Sequence, residues 1–215
     1  MEAIQVNGRT INAYLAVPER GSGPGVLVLH AWWGLTDVFK QVCDRLAREG
    51  FVALAPDLYH GKTTTSIEEA EQLVSAMVES ETDQDVSASI DYLIKQSGRP
   101  GRALGVIGFS LGGNVALGLR DQMGAIVTFY GTTSPEEVRS EGNIQGHFAE
   151  IDDFEPTEQV REFEEALRSA GKQITFFTYP GTHHWFCEEN RPEYNAEAAR
   201  LAWERTTEFL HQRLD

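Results

Sequence analysis

Three short apolar runs constrain the fold of this chain more than any other feature. Residues 25–30 (Gly-Val-Leu-Val-Leu-His), 51–56 (Phe-Val-Ala-Leu-Ala-Pro) and 102–108 show no alternation of polar and apolar side chains. A strand with one face in water alternates, whereas a strand covered on both faces is apolar throughout, as in a parallel sheet. Helical patterns separate the runs. Residues 37–49 repeat apolar side chains at Phe39, Val42, Cys43 and Leu46, and Gly50 supplies the stop. Residues 66–79 and 82–96 read as two further helices, with Ser66 and Glu69 at capping-box spacing. Helices are also expected over 111–122, 157–169 and 194–213, and strands over 124–130, 146–151 and 173–179. At the start, Asn7-Gly8 between Ile4-Gln5-Val6 and residues 10–15 signals a hairpin. Alternating strands and helices predict an α/β fold: a mostly parallel central sheet with helices on both faces.

The 215 residues suit a single domain, 1–215, long enough to bury a core without staples. The net charge of −15 disfavours phosphate backbones and anionic lipid, so no nucleic-acid and no membrane partner is expected. Two cysteines, Cys43 and Cys187, make no disulfide framework, and both are expected to be structural. Residues 1–10 are polar and mixed, and no run has the length of a membrane span. The expectation is a cytoplasmic protein, a monomer or weak homo-oligomer, acting on a small molecule.

The chemistry is concentrated in Gly108-Phe109-Ser110-Leu111-Gly112-Gly113. The pattern G-x-S-x-G follows an apolar run and opens a helical pattern, which is the context of a nucleophile elbow. The helix starting near Leu111 points free N–H groups at a developing oxyanion. A serine hydroxyl needs a base, and in such folds the acid and then the histidine follow it in the chain. Of the later histidines, His211 lies in the last turn of a helix and His147 precedes a strand. His183-His184 lies in a loop after a strand, where such sheets keep their sites. Among the intervening aspartates, Asp121 falls in the helix after the elbow, whereas Asp152-Asp153 falls in a loop after a strand. The pattern therefore proposes Ser110, one of Asp152 and Asp153, and one of His183 and His184. No metal is expected, because His183 and His184 are adjacent rather than a helical turn apart. No phosphate-binding loop and no cofactor motif occurs.

These residues resemble the dienelactone hydrolase family. The matching segments are 29–35 (Leu-His-Ala-Trp-Trp-Gly-Leu), 55–59 (Ala-Pro-Asp-Leu-Tyr), 108–113, 147–156 and 179–209, the last containing His184-Trp185-Phe186. The resemblance implies a compact α/β-hydrolase fold with no large lid. It puts the acid on Asp152 and the base on His184, and gives the two oxyanion N–H groups to Leu111 and Trp32. Three departures stand out. The founding enzymes have a cysteine nucleophile where this chain has Ser110. They have a glutamate, which activates that cysteine, where this chain has Ala31. They hold a substrate carboxylate with arginines, and after Phe186-Cys187 this chain has Glu188. A serine activated by its histidine does not need the glutamate, so the first two losses are consistent.

The aromatic cluster Trp32, Trp33, Tyr59, Trp185 and Phe186 is expected to supply pocket residues, with Trp33, Tyr59, Trp185 and Phe186 named for the wall. The function expected is cleavage of small esters or lactones through an acyl-serine. The alternatives are a non-catalytic protein of the same fold, and acyl transfer or perhydrolysis by the same three residues. Neutral substrates are expected to outrank carboxylates unless Lys62 or Arg191 supplies a local cation.

Overall fold

The computed structural model describes residues 1–119 and 123–215. It has α/β architecture and falls into two compact units, Met1–Leu104 and Gly105–Asp215.

In the first unit, β1 (Glu2–Val6) and β2 (Arg9–Ala16) form the expected hairpin, with Val6 opposite Arg9. Asn7 and Gly8 have φ of 48° and 87°, the left-handed pair that matches hairpin twist. β3 (Gly25–Leu29) and β4 (Val52–Pro56) pair in parallel and are buried at every position. β2 lies antiparallel on the other side of β4, so the strand order is β1-β2-β4-β3. α1 (Asp37–Arg48) buries Phe39, Cys43 and Leu46, one stripe at helical spacing. α2 (Ile67–Ser75) is capped by Ser66, whose side chain accepts from the Glu69 N–H. α3 (Glu79–Ser97) starts three residues before the sequence pattern predicts.

Two of the family-like segments shape this unit. His30 is fully buried, and its Nδ1–H donates to the Ala31 carbonyl at 2.8 Å. Its Nε2 then accepts from the Leu58 N–H at 3.2 Å, which ties the end of β3 to the loop after β4. Burial holds the imidazole below its ordinary pKa, so it stays neutral. The Asp57 carboxylate accepts from Tyr59 N–H and Gly61 N–H, closing the same loop into a tight turn.

In the second unit, which takes in β5 (Leu104–Phe109) from Gly105 onward, the strand order is β5, β6 (Met123–Phe129), β7 (Asn143–Ile151), β8 (Ile174–His183). β6 to β8 pair in parallel. α4 (Leu111–Gly118) follows β5, α5 (Thr157–Ser169) follows β7, and α6 (Ala196–Leu214) closes the chain. β7 starts three residues earlier than expected, and β8 runs four residues beyond Tyr179 as far as His183. The extension holds because Ile151 still pairs with His183, past an irregularity at Ala149. The helix after the elbow ends at Gly118. Leu119 is already extended, short of the expected end at 122, and residues 120–122, Asp121 among them, lie outside the described residues.

Candidate active site

Ser110 occupies the turn between β5 and α4 with φ 50° and ψ −112°, a conformation that L-residues rarely adopt. Such strain costs about 1–3 kcal/mol and persists only where the surroundings hold it. Here the Ser110 N–H donates to the Phe129 carbonyl at 2.9 Å. Its carbonyl accepts from Gly113 N–H and Asn114 N–H at 2.7 and 3.1 Å. A side chain at Gly108 would collide with the Gly112 carbonyl, and one at Gly113 with the Thr128 hydroxyl. The glycines of the motif therefore serve the close packing of strand on helix. Leu111 is the first residue of α4, so its N–H has no intrahelical acceptor.

His184 directly follows β8. The Thr182 hydroxyl donates to the Tyr179 carbonyl at 2.7 Å, and the Phe186 N–H donates to the His183 carbonyl at 3.1 Å. Asn195 N–H reaches back to the Phe186 carbonyl at 3.0 Å, fastening the loop to the start of α6. This arrangement buries His184 and leaves His183 exposed. Asp152 directly follows β7. Its Oδ1 accepts from Phe154 N–H and Glu155 N–H, both at 2.9 Å, which leaves Oδ2 for another donor. Its side chain is fully buried, whereas Asp153 is exposed.

The three side chains form one chain of hydrogen bonds. Ser110 Oγ lies 3.0 Å from His184 Nε2, and His184 Nδ1 lies 2.7 Å from Asp152 Oδ2. An ionised carboxylate only accepts, so Nδ1 carries the proton and Nε2 is left basic toward the serine.

Tyr130 and Phe154, which sequence reasoning did not single out, also surround this chain of bonds. Tyr130, at the end of β6, has φ 40° and is fully buried, with its ring centroid 4.8 Å from that of His184. Its hydroxyl donates to Glu188 Oε1 at 2.9 Å. Burial, reinforced by the Glu188 charge, pushes the phenol well above its ordinary pKa, so it stays a donor. Glu188 is itself 1% exposed, so its carboxylate faces this phenol rather than solvent. Phe154 packs 5.0 Å from His184 and 5.1 Å from Trp185, yet keeps 42% exposure. The aromatic doublet at Phe129-Tyr130, ending the strand after the elbow, was the one sequence signal for Tyr130.

The remaining expected residues fall as follows. Trp185 and Phe186 are buried beside His184, and Arg191 stacks over Trp185 with its guanidinium carbon 4.8 Å from the ring centroid. Trp32, Trp33, Tyr59 and Lys62 belong to the first unit, where Trp33 and Tyr59 are buried and Lys62 is exposed. His147 is buried among Tyr179, Gln145 and Thr206, away from the serine chain of bonds, and His211 pairs with Asp215. Cys43 is fully buried. Among the described residues, no three His, Cys, Asp or Glu side chains stand together as a metal site requires.

Comparison with known proteins gives a consistent result. Residues 11–214 match the model of the dienelactone hydrolase family. The chain is 33% identical over 228 residues to a protein of Aquifex pyrophilus named usf, covering 100% of this chain and 98% of that one. It is 30% identical to a protein of Aquifex aeolicus named as a candidate carboxymethylenebutenolidase, covering 98% and 96%. A crystal structure described as a candidate dienelactone hydrolase from Klebsiella pneumoniae superposes with a TM-score of 0.88 at 25% identity, over 98% of this chain and 96% of that one. A G-x-S-x-G turn between β5 and α4 and a match over nearly the whole chain lead to one assignment: this chain belongs to the dienelactone hydrolase family, as a carboxylic ester hydrolase of the α/β-hydrolase fold.

Proposed function

We propose that the protein cleaves small neutral esters or lactones through an acyl-serine intermediate, with Ser110 as nucleophile, His184 as base and Asp152 as acid. The observation that carries this reading is the continuous bond chain from Ser110 Oγ through both nitrogens of His184 to Asp152. The family match over 11–214 supports treating 1–215 as one catalytic domain.

His184 Nε2 takes the hydroxyl proton as Ser110 Oγ bonds to the acyl carbon. The carbonyl electron pair moves onto oxygen, where the Leu111 N–H receives it. Asp152 holds Nδ1 protonated and stabilises the imidazolium. Collapse of the tetrahedral centre breaks the ester C–O bond, and the leaving oxygen takes the proton from Nε2. Water then repeats the sequence at the acyl carbon, giving the carboxylic acid and free Ser110. In a lactone the leaving oxygen stays tethered to the acyl group.

Two observations favour neutral substrates. The protein carries a net charge of −15, which repels anions at a distance. The residue after Phe186-Cys187 is a buried glutamate bonded to Tyr130, so it offers no cation there. The test is turnover of p-nitrophenyl acetate by Ser110→Ala. A loss of several orders of magnitude with the fold intact is expected, and turnover at the wild-type rate would remove Ser110 from the mechanism.

A further inference from the structure

Asp152 is not the only carboxylate on its loop that acts electrostatically with His184. Three residues after Asp152, Glu155 carries a partly buried side chain that no part of the triad chemistry requires. Its two oxygens are both taken by one residue. Oε1 accepts from the Thr132 N–H at 2.9 Å, and Oε2 accepts from the Thr132 hydroxyl at 2.6 Å. A carboxylate held by both donors of a single threonine has a fixed orientation and stays where it is set.

Thr132 stands at a telling place. It follows Tyr130-Gly131 at the end of β6, and a side chain on Gly131 would lie 2.5 Å from the Ser110 carbonyl. Gly131 therefore touches the nucleophile turn while Thr132 grips the acid loop. On that loop the Glu155 N–H is one of the two donors to Asp152 Oδ1. The path from serine to acid thus runs twice: once through His184, and once through the backbone of 130–132 and Glu155.

We infer that Glu155 is a positioning residue of this hydrolase: clamped by Thr132, it fixes the Asp152 turn against the nucleophile elbow and adds a second negative charge to the field at His184. The inference rests on the Ser110–His184–Asp152 reading. The groups around His184 are then the Asp152 carboxylate bonded to it, Glu155 acting through its charge, the Tyr130 ring with its bond to Glu188, and the rings of Phe154 and Trp185, the latter carrying Arg191 on its face. Thr132 binds the Glu155 carboxylate, and the charges of Asp152 and His184 act on it. Burial raises the Glu155 pKa above its ordinary value, while the Thr132 bonds and the nearby imidazole pull it back. Loss of a Thr132 bond would therefore push it up further and discharge the group at a higher pH.

The role has a direction that scaffolding lacks. A negative charge near an imidazolium favours its formation, in the transition state as in the resting enzyme. Glu155→Gln keeps the shape and an acceptor for the Thr132 N–H but removes the charge. With a neutral p-nitrophenyl ester, kcat should fall about ten-fold, which is about 1.4 kcal/mol, and KM should stay within about two-fold. The acid limb of kcat/KM should move to lower pH by roughly half a unit to one unit, because the base protonates less readily. Thr132→Val, which removes one donor but keeps the carboxylate, should lose more kcat in mild acid than in mild base. An acid limb that stays in place in Glu155→Gln overturns the inference, whether kcat falls or not. Should Glu155→Gln fail to fold, equal losses in acid and base for Thr132→Val overturn it instead. Ser110→Ala assayed alongside separates the two levels. If that variant is inactive and the limb is unmoved, only the role of Glu155 is lost. If it turns over normally, the triad reading fails and this inference fails with it.

Discussion

Tyr130 and Glu188, 58 residues apart, share a buried hydrogen bond from phenol to carboxylate at 2.9 Å, with the phenol ring packed on His184. The bond joins the end of β6 to the loop that carries the histidine. Removing the phenol oxygen leaves a buried carboxylate short of a donor, which costs about 1–3 kcal/mol or more for a charged group. Tyr130→Phe should lower the urea unfolding free energy by that amount. It should also reduce kcat more than it raises KM, since the ring that lies against His184 remains but its anchor is gone. Equal stability of the variant and the wild type would show that the bond contributes nothing.

The two doublets in the site separate cleanly by burial. His184 and Asp152 are buried and bonded to each other, while His183 and Asp153 are exposed. His184→Ala is expected to match Ser110→Ala in its loss of turnover, and His183→Ala to stay near wild type. Asp152→Asn should cost far more than Asp153→Asn, because an amide in place of the carboxylate favours the wrong imidazole tautomer. Steady-state kinetics on the four variants with one ester decides the order, and a reversal in either pair contradicts the assignment.

Substrate charge gives a third outcome. Arg191 follows the histidine loop, is held over Trp185 and lies 3.6 Å from Glu193. A carboxylate brought into the site needs a cation to offset its desolvation. Neutral short-chain esters should therefore show higher kcat/KM than carboxylated analogues of the same size, with the gap widest at low salt. If the carboxylated substrate wins at both low and high salt and Arg191→Ala abolishes its advantage, Arg191 rather than the net charge governs selection.

Acid stability follows from His147. It is fully buried, and burial, helped by the Arg205 charge, depresses its pKa to about 3. In the unfolded chain the imidazole returns to about 6.5. Above that pH both states are neutral and the group contributes no pH dependence. As pH falls below it, the unfolded chain binds a proton that the folded chain does not. Stability should then decline by up to about 1.4 kcal/mol per pH unit from this group alone, levelling off near the folded value. Urea unfolding across this range should show a shallower decline for His147→Gln than for the wild type. Parallel slopes would contradict the buried neutral state.

Much of the fold is written in local pattern. β3 and β4 are apolar at every position because both faces are covered, and the hairpin turn is legible because only residues such as Asn7-Gly8 tolerate its dihedrals. The elbow is legible for a steric reason, since Gly108 and Gly113 leave no room for a side chain. The choice within each doublet was not legible from the residues themselves and came from resemblance alone. Which member turns inward depends on where β7 and β8 end, and β8 ends four residues later than its apolar pattern does. The pairings of Glu155 with Thr132 and of Tyr130 with Glu188 are not legible in the sequence for a related reason. Their partners are distant in the chain, and an isolated Glu or Tyr carries no periodic signal.

The most direct measurement is the trapping of the covalent intermediate. p-Nitrophenyl acetate mixed with the enzyme, quenched in acid during the first turnover and digested, should yield the peptide containing Ser110 carrying one acetyl group. The label should be absent in Ser110→Ala and should disappear as turnover proceeds. An enzyme that releases a full burst of nitrophenol with no acetyl on Ser110, or with the label on another residue, would contradict the acyl-serine mechanism.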